Sequence, residues 1–257
     1  MGTVLEVRGL SVERGREPVL EDVAFSVEEG AYVGIVGPNG GGKTTLILAV
    51  LGLLPARGGT IRILGEDIED FDDWRRVAYV SQTATKFDPA FPLTVRELVG
   101  LGRVTSGNLG RRLAGDDWLK VDAALDYMGI SDISGRRIGQ LSGGQKQRVF
   151  VAKALVRDPD VIFLDEPVAG VDATTQERFY QKLSDLNQEL GTTVLIVSHD
   201  LSTVFCRMSH IMCVHRTVDL SPITADMDPN EILKPAYGDH FHFVFHEHVC
   251  EGVFEDG

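Results

Sequence analysis

The amino-acid sequence predicts an α/β protein built on a parallel sheet that helices cover on both faces. Short apolar runs at residues 32–36, 161–164 and 193–198 recur between helical segments, which is typical of buried parallel strands. Near the N-terminus, apolar and polar residues alternate on either side of Gly15, which predicts two strands joined by a turn. Residues 83–140 lack strand-like runs, so a helical lobe is predicted there as an insertion.

The other elements follow from the same periodicities. An apolar helix is predicted over residues 44–54, because Pro55 cannot continue it. Further strands are predicted at residues 60–64 and 77–81, and further helices at residues 95–101 and 118–128.

The composition limits the classes of function. The 257 residues carry a formal charge of −13 at pH 7, whereas binding to nucleic-acid phosphates requires a basic surface, so we expect no nucleic-acid partner. The longest apolar run, residues 46–54, has nine residues, and a membrane-spanning helix needs about 20. No basic region followed by an apolar stretch opens the chain, so no signal peptide is expected.

Residues 37–44 contain a phosphate-binding motif. They fit the pattern G-x-x-x-x-G-K-[ST] and lie between a predicted strand and a predicted helix, as a P-loop does. Glycines allow backbone N–H groups to turn inward around an anion, and the helix N-terminus adds its positive dipole end. Lys43 would reach the β- and γ-phosphates, and Thr44 would bind Mg²⁺. The expected nucleotide-binding residues are Gly37, Pro38, Asn39, Gly40, Gly41, Gly42, Lys43, Thr44 and Thr45.

The apolar strand at residues 161–164 ends in two carboxylates, Asp165 and Glu166. Parallel strands present the residues at their carboxyl ends to the ligand crevice. Asp165 is predicted to hold Mg²⁺ through water, and Glu166 to orient or activate the attacking water. Taken alone, the pattern also fits a strand that ends in an acidic turn. The P-loop about 120 residues earlier favours the catalytic interpretation.

A second helix N-terminus suited to phosphate follows Leu141. Ser142 can cap this helix, and the adjacent glycines permit close backbone approach. The helix is predicted to end before Pro159, and the segment lies 20 residues before Asp165. A simple loop and cap is the alternative interpretation. The expected ligand contacts are Ser142, Gly143, Gly144 and Gln145.

With these motifs in this order, the chain resembles the ATP-binding-cassette (ABC) ATPases over roughly residues 3–220. The resemblance implies a P-loop NTPase (RecA-like) core with an N-terminal antiparallel β subdomain and an inserted α-helical lobe. The core would comprise residues 1–82 and 141–220, the lobe residues 83–140, and a histidine-rich acidic tail residues 221–257.

The resemblance also implies roles for three further residues. Gln82, after the strand at 77–81, matches the family's glutamine loop and would contact Mg²⁺ or the attacking water. Asp172, in the loop after the acidic strand, would face the partner subunit, and His199 would contact the γ-phosphate. The catalytic residues are thus expected to be Glu166, His199 and Gln82, with Thr44, Gln82 and Asp165 around Mg²⁺.

The aromatic residue that usually stacks on adenine in this family has no counterpart here. Near position 14 the sequence reads Val-Glu-Arg-Gly-Arg. Arg14 or Arg16 could stack on the base through its guanidinium plane, or the adenine could be held loosely. The contact to the base is therefore left open by the sequence.

The family mechanism implies a homodimer in which two cassettes pack head to tail. Each ATP would lie between one P-loop and segment 142–145 of the other subunit, so that ATP joins the subunits and hydrolysis releases them. Because the sequence shows no membrane span, transport would require separate membrane permease subunits. The protein would then lie peripherally on the cytoplasmic face of the cell membrane.

Two segments bear on what is transported. The sequence Phe-Pro-Leu-Thr-Val at residues 91–95 is similar to that of zinc and manganese importers, and a turn before a helix is the alternative interpretation. Residues 240–250 hold four of the seven histidines, which alternate with phenylalanines as on two faces of a strand. Histidines at i and i+2 with a thiolate are Zn²⁺-type ligands, and an amphipathic strand is again the alternative. The predicted zinc ligands are His240, His242, His246, His248 and Cys250.

These observations predict the ATPase subunit of a metal-ion importer, with zinc favoured and manganese next, that works with an extracytoplasmic metal-binding protein. The alternatives are an importer of another solute, such as an iron chelate, and a soluble cassette of iron–sulfur assembly. Residues 221–257 hold eight acidic residues and one basic residue, so over half of the charge of −13 lies beside the histidines. Such a tail is expected to attract cations.

Overall fold

The structure is a computed structural model of the chain. It describes residues 2–84, 91–105, 107–168, 172–238 and 241. The chain divides into two compact units. The first unit consists of Met1–Asp72 and Leu186–Gly257, and the second unit consists of Asp73–Asp185.

Strands and helices occur in both units. Among the described residues, the strands are β1 (Thr3–Arg14), β2 (Glu17–Glu28), β3 (Tyr32–Val36), β4 (Gly58–Ile63), β5 (Glu66–Asp67), β6 (Val77–Val80), β7 (Val161–Asp165), β8 (Thr193–Val197), β9 (His210–His215) and β10 (Thr217–Pro222). The helices described are α1 (Lys43–Val50), α2 (Val95–Gly100), α3 (Gly115–Tyr127), α4 (Gly143–Leu155), α5 (Ala173–Leu190), α6 (Leu201–Arg207) and α7 (Pro229–Tyr237). None of these described helices has the length and apolar character needed to cross a membrane.

The first unit contains an antiparallel sheet with the strand order β2-β1-β4-β5. β1 and β2 pair from Thr3 opposite Glu28 to Arg14 opposite Glu17, and the chain turns at Gly15, whose φ is 68°. The two predicted N-terminal strands and their turn are thus confirmed. The apolar side chains of β1 are buried while its charged side chains are not, because successive residues of a strand face opposite sides of the sheet.

Four strands of the first unit lie side by side in the order β10-β9-β3-β8. β3 is parallel to both β8 and β9, whereas β10 is antiparallel to β9. All five residues of β3 and all five of β8 are buried, which explains why both strands are mostly apolar, with Thr193 the one polar residue of β8. A Cβ atom on Gly34 of β3 would lie 2.6 Å from the Cγ1 of Val204 in α6. The glycine therefore allows α6 to pack closely against the sheet.

Helix α1 is shorter than predicted. The sequence predicts a helix that continues to residue 54, but α1 ends at Val50. Gly52 has a φ of 66°, and its N–H donates to the carbonyl oxygen of Ala49 at 3.0 Å. A left-handed glycine after the last turn is a common helix ending, so the apolar residues that follow are not helical.

No element is predicted from the sequence for residues 210–237, where the structure has the β9–β10 hairpin and α7. The hairpin turns at Arg216, which has a φ of 62° and lacks the glycine or asparagine that usually signals such a turn. The side chain of Asp228 caps α7. Leu233 and Ala236 are buried where α7 packs on β9.

The second unit pairs β6 with β7 in parallel and carries α2, α3 and α4. The helices predicted at residues 95–101 and 118–128 correspond to α2 and α3, and are confirmed with small shifts of their ends. A capping box starts α2: the Thr94 hydroxyl accepts from the N–H of Glu97 at 3.3 Å, and the Glu97 carboxylate accepts from the N–H of Thr94 at 2.8 Å. These local bonds explain why α2 begins where the sequence indicates.

Candidate active site

The P-loop, residues 37–44, lies in the first unit between β3 and α1. A Cβ atom on Gly37 would lie 2.1 Å from the carbonyl oxygen of Val214 in β9. No side chain can be accommodated at that distance, so any other residue would displace the loop from the sheet. Gly42 precedes α1 with a φ of 104°, a conformation that side chains disfavour. The loop therefore needs glycine both at its first position and before its lysine.

Lys43 is the first residue of α1, and its side chain is buried in the loop. Its Nζ donates to the carbonyl oxygens of Gly37, at 2.8 Å, and Pro38, at 3.0 Å. The first turn of α1 contains no acidic residue. A helix N-terminus and an ammonium group together create a positive environment, so this arrangement can bind an anion such as a phosphate.

A hollow of about 330 Å³ lies beside the P-loop in the first unit. The residues that line it are Glu17, Pro18, Val19, Pro38, Asn39, Gly40, Gly41, His215 and Arg216. Arg14 and Arg16, which the sequence offered as contacts to a base, do not line this hollow. His215 and Arg216 were missed, because only the pairing of β9 with β3 brings the β9–β10 turn to the P-loop. There the N–H of Arg216 donates to the carbonyl oxygen of Gly41 at 3.3 Å.

His199 follows β8, which is the neighbour of β3 in the sheet. His199 and the P-loop therefore follow the carboxyl ends of adjacent parallel strands, where ligands of α/β proteins bind. The turn is shaped by Asp200, whose carboxylate accepts from the N–H of Thr203 at 3.1 Å and caps α6. The N–H of Asp200 donates to the Ser198 hydroxyl at 3.1 Å. These bonds place the exposed His199 at the sheet edge that carries the P-loop.

The second unit carries the predicted carboxylates. Asp165 ends β7 and is 1% exposed. Tyr79 of the adjacent β6 hydrogen-bonds to it through their side chains, and the pKa of Tyr79 is raised to about 12 by burial and by the charge of Asp165. The phenol therefore stays protonated and can donate to the carboxylate. Sequence reasoning missed Tyr79, since nothing in the local pattern of β6 sets it apart from a core residue.

Glu166 and Gln82 meet in the second unit. The Nε2 of Gln82 donates to the Oε2 of Glu166 at 2.6 Å. Glu166 has a φ of 48°, in the left-handed region that non-glycine residues rarely adopt and that is enriched at functional sites. The structure thus brings the predicted glutamine and the predicted glutamate into direct contact.

The segment predicted to contact phosphate begins α4. The Ser142 hydroxyl accepts from the N–H of Gln145 at 3.3 Å, and the Oε1 of Gln145 accepts from the N–H of Ser142 at 3.0 Å. This capping box confirms that Ser142 caps the helix. Gly143 and Gly144 form the first turn, which contains no acidic residue, so that the positive end of the helix dipole is not neutralised locally.

Asp172 precedes α5 in the structure. Its Oδ1 accepts from the N–H of Thr175 at 3.0 Å, and the hydrogen bonds from Thr175 lower the pKa of the Asp172 carboxyl group. The carboxylate is therefore charged at neutral pH. Its contact with a partner subunit stays a prediction.

Several predicted segments lie outside the described residues. They include part of the loop before Asp172, and the predicted zinc ligands His240, His242, His246, His248 and Cys250. Within the described part of the chain, no group of three or more His, Cys, Asp or Glu side chains could hold a metal ion.

Together, the fold and the glycine loop define a P-loop NTPase of the α/β class, with both a parallel and an antiparallel sheet. The model of the ABC transporter family matches residues 20–169. Since this is more than half of the chain, the protein belongs to the ABC transporter family and is an ATPase of that family. The predicted fold class and enzyme class are confirmed.

Curated relatives extend the similarity over most of the chain. The zinc uptake system ATP-binding protein ZurA of Listeria innocua is 39% identical over 218 residues, which cover 85% of each chain. The manganese transport system ATP-binding protein MntB of Bacillus subtilis is 39% identical over 249 residues, or 96% of this chain and 98% of MntB. The zinc transport system ATP-binding protein TroB of Treponema pallidum is 38% identical and covers 91% of this chain and 86% of TroB.

Solved structures of ATP-binding cassettes show the same fold. CbiO1 from Clostridium perfringens, part of the ABC transporter complex cbiONQ, superposes with a TM-score of 0.75 at 28% identity and covers 91% of each chain. A dimeric post-hydrolysis state of the cassette MJ0796, bound to ADP and Pi, gives a TM-score of 0.73 at 26% identity. That match covers 86% of this chain and 99% of MJ0796.

Proposed function

We propose that the protein is the ATPase subunit of an importer for a divalent metal ion, with zinc favoured and manganese next. The observation that carries the proposal is the similarity to relatives named for zinc and manganese transport, which reaches 96% of this chain for MntB. The contact between Gln82 and Glu166 supports a hydrolytic site in the same protein.

ATP and Mg²⁺ fit the residues of the site. The P-loop offers glycine N–H groups, the N-terminus of α1 and the Lys43 ammonium group to a triphosphate. Thr44, Gln82 and Asp165 carry oxygen atoms, which Mg²⁺ prefers, and Asp165 supplies the charged oxygens among them. We assign the phosphates to residues 37–45 and Mg²⁺ to these three side chains. When bound, Mg²⁺ neutralises charge on the phosphate oxygens.

Glu166 is assigned to orient the attacking water and accept its proton. The Gln82 amide anchors this carboxylate through Oε2, so the carboxylate is oriented before the nucleotide arrives. A preorganised polar group needs no reorientation during the reaction, and this lowers the barrier. His199 is assigned to contact the γ-phosphate from the end of β8.

The second phosphate-binding segment is assigned to the nucleotide of a partner cassette in a homodimer. Ser142, Gly143, Gly144 and Gln145 form a preformed helix N-terminus, and Asp172 would face the partner. The likeness to a dimeric cassette with bound ADP and Pi supports this arrangement. Neither subunit alone then completes a site, so nucleotide binding and dimer formation are coupled.

Permease subunits in the membrane are the proposed partners of the dimer, and the cytoplasmic face of the cell membrane is its proposed location. Similarity to ATP-binding proteins of uptake systems supports this placement. An extracytoplasmic metal-binding protein is the proposed source of the ion, and no nucleic-acid partner is proposed, in keeping with the net charge of −13.

The test is a transport assay with the cassette and the permease subunits that copurify with it, reconstituted in lipid vesicles. We expect Zn²⁺ or Mn²⁺ to be taken up and to raise the ATPase rate, while Lys43→Ala abolishes both. Uptake of an iron chelate in place of these ions would identify the alternative importer. Purification without any membrane subunit, from cells that express the transporter, would favour a cassette of iron–sulfur assembly.

The histidines of the tail are proposed to bind Zn²⁺. Support comes from sequence: four histidines and Cys250 lie within residues 240–250, in a tail with eight acidic residues and one basic residue. Calorimetry with ZnCl₂ on the intact chain and on a chain lacking residues 240–257 tests this. We expect the deletion to lower the Zn²⁺ stoichiometry, and an unchanged stoichiometry would exclude the tail as the site.

A further inference from the structure

A hydrogen bond joins the C-terminal helix α7 to the first residue of the P-loop. The N–H of Gly37 donates to the hydroxyl oxygen of Tyr237 at 3.0 Å, across 200 residues of sequence. Tyr237 is the last residue of α7. None of the roles proposed for the nucleotide site uses this residue.

Gly37 is constrained on three sides. Its N–H is bound by Tyr237, and the position of a Cβ atom is occupied by the carbonyl oxygen of Val214, 2.1 Å away. Its own carbonyl oxygen accepts from the Nζ of Lys43 at 2.8 Å. Gly37 therefore links the Tyr237 hydroxyl to the P-loop lysine through two hydrogen bonds, one made by its N–H and one by its carbonyl oxygen.

The Tyr237 ring is itself held in place. It stacks on Phe241 with ring centroids 4.6 Å apart and an interplanar angle of 25°. The body of α7 is anchored on β9, where the Cys213 thiol donates to the carbonyl oxygen of Ile232 at 3.3 Å and Leu233 is fully buried. The hydroxyl thus has a defined position from which to hold Gly37.

We infer that Tyr237 is a positioning residue for the nucleotide. From the end of the C-terminal helix α7 it holds the P-loop in place, and so sets the affinity of the loop for phosphates. The inference rests on the proposed function of the P-loop. Gly37 is buried, so loss of the hydroxyl leaves its N–H without this acceptor in a place that water does not freely reach. The loop can then regain a hydrogen bond only by shifting, and a shift moves the carbonyl group that orients Lys43.

Tyr237→Phe tests the inference, because it keeps the ring on Phe241 and removes only the hydroxyl. From the usual net contribution of one neutral hydrogen bond, we expect the Kd for Mg-ADP in calorimetry and the KM for ATP to rise about three- to ten-fold. We expect kcat to change by less than about two-fold, since Tyr237 bonds to the P-loop, whereas the roles in water activation are proposed for Glu166 and Gln82.

Tyr127→Phe is the matched control. It removes a hydroxyl that donates to the carbonyl oxygen of Lys182 at 3.2 Å within the second unit, so its Kd for Mg-ADP should equal that of the wild type. An equal loss of affinity in both variants would overturn the inference. A wild-type Kd for Tyr237→Phe, with or without a lower unfolding temperature, would also overturn it, because the hydroxyl would then serve stability alone.

Two further variants complete the experiment. Phe241→Ala keeps the Tyr237 hydroxyl and removes the ring that stacks on Tyr237. It should therefore raise the Kd for Mg-ADP by a smaller factor than Tyr237→Phe does. If Tyr237→Phe does not fold, Phe241→Ala replaces it as the test. A wild-type Kd of Phe241→Ala for Mg-ADP would then overturn the inference. Lys43→Ala should abolish binding of Mg-ADP. If it does not, the proposed function of the P-loop fails, and this failure is distinct from failure of the Tyr237 inference.

Discussion

Glu166 can be perturbed separately in its backbone and in its side chain. Glu166 has a φ of 48°, in the left-handed region. A residue with a side chain loses about 1–2 kcal/mol of folding free energy in this conformation, whereas glycine adopts it freely. Glycine loses about 0.5–1 kcal/mol more than alanine in conformational entropy on folding. Both Glu166→Gly and Glu166→Ala remove the carboxylate and the bond from Gln82, so their difference isolates the backbone. We expect the glycine variant to be more stable by about 0.5–1 kcal/mol.

The measurement is the free energy of unfolding in urea for the two variants at the same pH. Glu166→Gln serves as the chemical control, since it keeps the shape of the side chain and removes its charge. All three variants should lose ATP turnover by about 10²- to 10⁴-fold, the usual contribution of a general base. An alanine variant as stable as the glycine variant would refute the argument from strain. Wild-type turnover in Glu166→Gln would refute the role of the carboxylate.

Gly37 and Tyr79 can be tested by substitution, the first through nucleotide binding and the second through stability at high pH. Gly37→Ala should abolish Mg-ATP binding in calorimetry, because its Cβ would lie 2.1 Å from the Val214 carbonyl oxygen, and normal binding would contradict this. Gly115→Ala, where no atom lies within 4 Å of the added Cβ, is the control. The pKa of Tyr79 rises from 10.0 to about 12 on folding, so its stabilising contribution is complete below pH 10 and is lost as the pH rises towards 12. Across this pH range, the free energy of unfolding in urea should decline less for Tyr79→Phe than for the wild type, and an identical decline would contradict the raised pKa of Tyr79.

Local patterns account for much of what could be predicted about the fold. A strand buried on both faces is apolar along most of its length, so β3 and β8 could be placed in the sequence to within a residue. The β9–β10 hairpin escaped prediction because it turns at Arg216, a residue that carries no turn signal. Tertiary packing there imposes a left-handed conformation that local propensity does not favour.

The sequence alone predicts the nucleotide chemistry of this protein. Each motif acts within one loop or one helix turn, so its residues lie close together in the sequence. These motifs are the glycines and lysine of the P-loop, the two carboxylates at the end of β7 and the cap of α4. The folded chain shows which distant residues support these motifs. Tyr237 reaches Gly37, His215 and Arg216 line the hollow beside the P-loop, and Gln82 anchors Glu166. Such contacts depend on which strands pair and which helices pack on them, and the residues involved need no shared pattern along the chain.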